Sequence, residues 1–130
     1  MLKTLSLTVA GAAMLVLTGC STVEISENFN GMDVSIQRST PVCQVHGTIS
    51  GLYLFNCIPI FSGSYNNPGK TMAFRDTTTM EHTMLMTLRV ARGRNAGKVI
   101  NLDTDNRETW LFWSLIFWSR EWHVSGTAIK

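Results

Sequence analysis

Period-two alternation of apolar and polar positions begins just after Pro41. In "VCQVHGTISGLYLFNCIPIF", Cys43, Val45 and Gly47 alternate with Gln44, His46 and Thr48, and an aromatic and β-branched run then ends at Pro59. Such alternation predicts strands with one apolar face. A three-residue loop of Ile49, Ser50 and Gly51, with the glycine left-handed, fits a common hairpin. It sets Cys43 opposite Cys57, Val45 opposite Phe55 and Gly47 opposite Tyr53. The same residues also accommodate a single bent strand without that turn.

The stretch from Phe61 to Lys70, "FSGSYNNPGK", is dense in turn residues and predicts a surface loop. Beyond it the period changes. Thr78 and Glu81 have the spacing of a capping box, Asp76 adds negative charge near the helix start, and Met80, Met84, Leu88 and Ala91 fall on one helical face beside Leu85. A helix from about Thr78 to Arg92 is expected, stopped by Gly93 and Asn95. The methionine row Met80, Met84 and Met86 reads as part of the core rather than as a ligand groove or metal relay.

"KVINLDTD" predicts a further strand, as does "EWHVSGTAIK", where Trp122, Val124, Gly126 and Ala128 alternate with Glu121, His123, Ser125 and Thr127. Between them, "WLFWSLIFW" holds three of the four tryptophans and two of the six phenylalanines. As a strand it would be apolar on both faces, with Trp110, Phe112, Ser114, Ile116 and Trp118 on one and Leu111, Trp113, Leu115 and Phe117 on the other. A short echo, Val45 to Ile49 against Val124 to Ala128, suggests neighbouring strands that each need close packing at a glycine. The predicted fold class is α+β: a small antiparallel sheet of about four strands with one helix packed on one face.

Upstream of the domain the pattern is of another kind. Lys3 precedes an apolar stretch from Leu5 to Leu17, and Leu17-Thr18-Gly19-Cys20 closes it with small residues before a cysteine. The stretch is well short of the roughly 20 apolar residues of a membrane-crossing helix, so it reads as an export signal. Leu17-Thr18-Gly19-Cys20 resembles the lipobox of bacterial lipoproteins. The resemblance implies diacylglycerol on the Cys20 thiol, cleavage before Cys20 and acylation of the new amine. Ser21 resembles the position that sorts outer-membrane lipoproteins, in place of the aspartate of inner-membrane ones. Acyl chains contribute about 0.8 kcal/mol per buried methylene, enough for several chains to anchor a domain without a transmembrane helix.

Three regions are therefore expected: a signal peptide over 1–19, a lipidated N-terminus and tether over 20–40, and a single domain over 41–130. The polar tether would reach roughly 25 Å as a flexible chain. Within it, Met32, Val34 and Ile36 alternate well enough for a short strand docked on the domain edge. With Cys20 taken by lipid, Cys43 and Cys57 remain, an even number for an oxidising compartment. A bridge between them would close a loop of about 15 residues and contribute roughly 3 kcal/mol. Two buried free thiols are the alternative.

Charge changes this picture little. Eleven Lys and Arg against nine Asp and Glu offer no basis for nucleic-acid binding. Arg89, Arg92, Arg94 and Lys98 cluster around the helix C-terminus, where cations stabilise the dipole; contact with anionic headgroups is the alternative. His46, His82 and His123 lack metal-ligand spacing, although His46 and His123 approach each other if their strands are neighbours. No nucleophile elbow, metal motif or paired carboxylates appear, and no catalytic residue, metal or cofactor is assigned.

The segment "ARGRNAGKVINL" and the ending "VSGTAIK" resemble small envelope lipoproteins of the TRL-like and Rcs stress-sensor type, in which an Ala-rich helix turns into a strand and a later strand carries a glycine and alanine ending. The sensor's cysteine pattern is richer than this one. The expectation is a non-enzymatic, lipid-anchored protein at the periplasmic face of the outer membrane, structural or binding an envelope partner. A stress-sensing or regulatory lipoprotein is the alternative, and a periplasmic enzyme comes third. Trp110, Trp113, Phe117 and Trp118 are the candidate surface for a partner or the membrane interface.

Overall fold

A computed structural model describes residues 20–27, 39–111 and 115–130. The expected signal over 1–19, the triplet Met32, Val34 and Ile36, and Phe112, Trp113 and Ser114 lie outside the described residues.

Strand β1, Ser21–Ser26, occupies the start of the stretch expected to be a tether. Strand β2, Pro41–Leu54, then runs through the Ser50-Gly51 position without turning. Strand β3, Ile58–Gly63, and the short β4, Thr71–Ala73, precede helix α1, Met80–Gly93. Strands β5, Lys98–Trp110, and β6, Phe117–Ile129, complete the sheet. The class is α+β as expected, but among the described residues the antiparallel sheet has six strands rather than about four. Its order is β4-β3-β2-β6-β5, with β1 also on β2.

The expected hairpin at Ile49 to Gly51 is overturned. Gly51 serves close approach instead: a Cβ there would lie 2.5 Å from Thr78 Oγ1. The chain turns at Phe55 and Asn56, both with positive φ, and the Cys57 N–H donates to the Leu54 carbonyl at 3.1 Å. Two successive left-handed residues are the geometry of a tight type I′ hairpin. Asn tolerates that region and Phe does not advertise it, so the sequence hid the turn.

β6 lies along the whole of β2, while β1 and β3 share the other edge of β2 in tandem, β1 beside Gln44 to Ile49 and β3 beside Gly51 to Leu54. The glycine echo has a structural reason. Val45 is opposite Gly126, and Gly47 is opposite Val124. Each glycine thus gives room beside the other strand's valine; Gly47 also admits Thr87 of α1, and Gly126 admits Val99 of β5.

The helix covers one face of the sheet. It begins one residue later than expected, at N-cap Thr79, whose hydroxyl accepts the His82 N–H at 3.3 Å, so the box of Thr78 and Glu81 does not form. Its buried residues are Thr83, Met86, Thr87 and Ala91. Ala91 of the expected face and Met86 of the expected methionine row are buried, but Met80 and Leu85 are exposed and Met84 and Leu88 only half-buried, so the face turned to the sheet is rotated toward Thr83 and Thr87. Close approach at Gly47 selects short side chains underneath. The Thr83 and Thr87 hydroxyls meet their hydrogen-bonding need within the helix, donating to the Thr79 and Thr83 carbonyls at 2.9 and 2.8 Å.

Among the described residues, "WLFWSLIFW" does not form one two-faced strand: Trp110 ends β5, Phe117 and Trp118 begin β6, and Leu115 has φ 63°. The expected loop is likewise shorter, since Phe61 to Gly63 belong to β3. Edge strand β5 carries Lys98, Asp103, Asp105, Arg107 and Glu108, all exposed, which discourages pairing with another sheet.

Candidate functional site

Cys20 immediately precedes β1, and its backbone is fixed to the middle of β2. The Ser50 N–H donates to the Cys20 carbonyl at 2.8 Å, and the Cys20 N–H donates to Ser50 Oγ at 2.9 Å. Ser50 Oγ also donates to that carbonyl at 3.0 Å. Gly63, at the end of β3, packs so closely that a Cβ there would stand 2.5 Å from the Cys20 oxygen. Cys20 itself is exposed. Ser21 is fully buried and its hydroxyl donates to the Ser64 carbonyl at 2.7 Å, giving this side chain a place in the fold. Neither Ser50 nor Gly63 could be picked out from the sequence, because a hydroxyl and a glycine in strand context carry no local sign of a distant backbone partner.

The candidate aromatic surface is divided between the two faces. Trp110 and Trp118 are directly opposed across β5 and β6, with ring centroids 6.5 Å apart. The register places them on the face that carries α1, whereas Phe117, opposite Leu54, belongs to the other face. Trp113 lies outside the described residues. Next to the tryptophan pair, the Arg120 guanidinium forms a 2.9 Å ion pair with Glu108 and lies 4.6 Å from the centre of the Tyr53 ring. The Tyr53 hydroxyl donates to Asp76 at 2.5 Å. Burial, helped by that bond, pushes its pKa up to about 12.

The expected opposition of Cys43 and Cys57 does not occur. Cys43 is buried beside Ala91 and pairs with Ala128 of β6, while Cys57 is exposed beyond the other end of β2. The eleven residue steps from Cys43 to Leu54 span about 35 Å of extended strand, so both remain free thiols. Burial pushes the Cys43 thiol pKa up.

Of the basic residues, Arg89 donates to Asn66 Oδ1 at 3.1 Å and Arg94 pairs with Glu27 at 2.7 Å, while Arg92, in the last helical turn, and Lys98, at the start of β5, line one shallow depression. His46 and His123 do come together, stacked at 5.7 Å on the face opposite α1, with Thr48 Oγ1 3.3 Å from His46 Nε2 and 3.0 Å from His123 Nδ1. Asp103, Asp105 and Arg107 line the same depression, of about 380 Å³. Among the described residues no group of three or more His, Cys, Asp or Glu side chains could hold a metal ion. No described helix is long and apolar enough to cross a membrane. No protein-family model, curated protein or solved structure matches the chain, so its own residues carry the functional reading.

Proposed function

We propose that this chain is a lipid-anchored protein of the bacterial cell envelope, held at the periplasmic face of the outer membrane by acyl chains on Cys20, and that its domain binds another envelope component rather than catalysing a reaction. The single observation that carries the reading is Leu17-Thr18-Gly19-Cys20 at the end of an apolar, positively led segment. The exposure of Cys20 in front of the first strand supports it, since an acylated sulfur needs a path to the bilayer. The exposed Trp110 against Trp118, with Arg120 and Glu108 alongside, supports a protein partner, because aromatic and arginine side chains dominate binding surfaces. Metabolic palmitate labelling and fractionation of cells carrying the native chain or Cys20→Ala test the anchor. Label and membrane retention are expected for the native chain alone. Retention of Cys20→Ala in the membrane, with neither chain labelled, overturns the reading.

A further inference from the structure

Lipid on Cys20 would leave the domain no slack. An acyl group on the Cys20 nitrogen takes the place of the Gly19 acyl, and a thioether replaces only the thiol hydrogen, so the Cys20 N–H and its bond to Ser50 are compatible with both modifications. Ser21 is already paired opposite Ile49. The anchor is thus the first residue of the fold, and the surface around it must meet whatever the acyl chains enter.

That surface has a definite composition. Along β1 the buried Ser21 and half-buried Val23 and Ile25 alternate with exposed Thr22, Glu24 and Ser26, which puts the Cys20 side chain with the latter, on the face opposite α1. On β2 this face carries Ser50, level with Cys20, then Leu52 and Leu54; on β3 it carries Phe61, opposite Leu52, and Ile58, opposite Leu54. Phe61 and Ile58 are 39% and 51% exposed. In the other direction from Ser50, the same face carries Glu24, His46, His123, Asp103 and Asp105. Over β1, β2 and β3 the face is therefore divided at the level of Cys20 into an apolar and a polar half; across β6 and β5 that level carries Glu121 and Arg107, and the apolar side continues through Ser119, Thr109 and Phe117.

We propose that the apolar half, Leu54, Ile58 and Phe61, lies on the bilayer surface beside acylated Cys20, so that the anchor sets the orientation of the domain as well as its location. The proposal rests on the anchor reading above. Phe61 is two residues along β3 from Gly63, which touches Cys20, a distance of about 7 Å, so a bilayer that receives the acyl chains also reaches the ring. Apolar side chains gain from entering the interface, whereas Glu24, Asp103 and Asp105 would be repelled by anionic headgroups. Exposed Phe55, in the turn that follows Leu54, extends the apolar half. Trp110, Trp118 and α1, on the opposite face of the sheet, are then presented away from the membrane and toward a protein partner.

The test uses the full-length lipoprotein in vesicles of phosphatidylethanolamine and phosphatidylglycerol, with a photo-crosslinking benzoylphenylalanine in place of Phe61, of Asp105 or of Leu85. Lipid adducts several-fold more abundant at 61 than at 105 or 85 are expected. A Gly-Ser spacer between Cys20 and Ser21 should reduce those adducts while leaving the protein membrane-bound. Equal adducts at all three positions, adducts at 61 that ignore the spacer, or adducts at 61 to protein instead of lipid overturn the proposal. Palmitate labelling of the same samples separates the two readings: labelled protein with no preference for 61 refutes the orientation alone, and unlabelled native protein refutes the anchor.

Discussion

Thr87 of α1 fills the space that a side chain at Gly47 would need; a Cβ built on Gly47 would collide with the Thr87 hydroxyl and lie 3.2 Å from its Cβ. Gly47→Ala should therefore destabilise the domain by about 1–3 kcal/mol through overpacking. Removing the hydroxyl with Thr87→Ala should make Gly47→Ala cheaper. Urea unfolding of the two single variants and the double variant measures this coupling, and additive losses would contradict it.

A second prediction concerns alkaline pH. Burial, with the Asp76 bond, pushes the Tyr53 hydroxyl from its ordinary 10 up to about 12, so the folded chain keeps a proton that the unfolded chain releases. The stability this supplies is complete below about pH 10 and is lost as pH rises through about 12. Tyr53→Phe should lower stability at neutral pH by deleting the bond to Asp76, yet flatten the decline between these two values. Denaturant midpoints across the range give the comparison.

The two domain thiols should differ in reactivity and remain unbridged. Cys57, exposed in a turn, should react rapidly with a disulfide reagent in the folded protein, and Cys43 only after denaturation. Thermal midpoints with and without reductant should agree. A shift on reduction, together with loss of both thiols from the titration, would show a bridge instead.

At the helix start, Thr79→Ala should cost about 1 kcal/mol by leaving the first-turn N–H of His82 without its acceptor. Glu81→Ala should have little effect on the cap, because the box it would complete with Thr78 is not formed. Thermal unfolding of both variants distinguishes the two cap positions.

Local pattern revealed most where a segment's neighbours repeat its own logic. The alternation from Trp122 to Ala128 and the glycine echo with Val45 to Ile49 described two adjacent strands correctly, because a glycine beside a valine leaves a trace in both segments. The Phe55-Asn56 turn left almost none, and Ser50-Gly51 imitated one, because glycine serves left-handed turns and close approach alike. The helix boundaries were nearly legible, and its buried face only in part, at Met86 and Ala91. Methionine and leucine spacing shows where apolar surface is, and only the proximity of Gly47 makes threonine the residue that fits beneath α1. Of the candidate site, the four-residue context singles out Cys20 as the candidate, whereas its docking onto Ser50, thirty residues away, is a tertiary fact.

Strand β6 is inserted between β2 and β5 and pairs with β2 from Pro41 to Leu54. Since β6 follows every other strand in the chain, the central strand lacks a partner on one whole edge until residues 117–129 arrive. Pairing across such long separations is slow compared with local structure formation. A chain emerging amino-terminus first would thus be unable to complete its sheet until its last strand had appeared: strand order acts as a built-in delay.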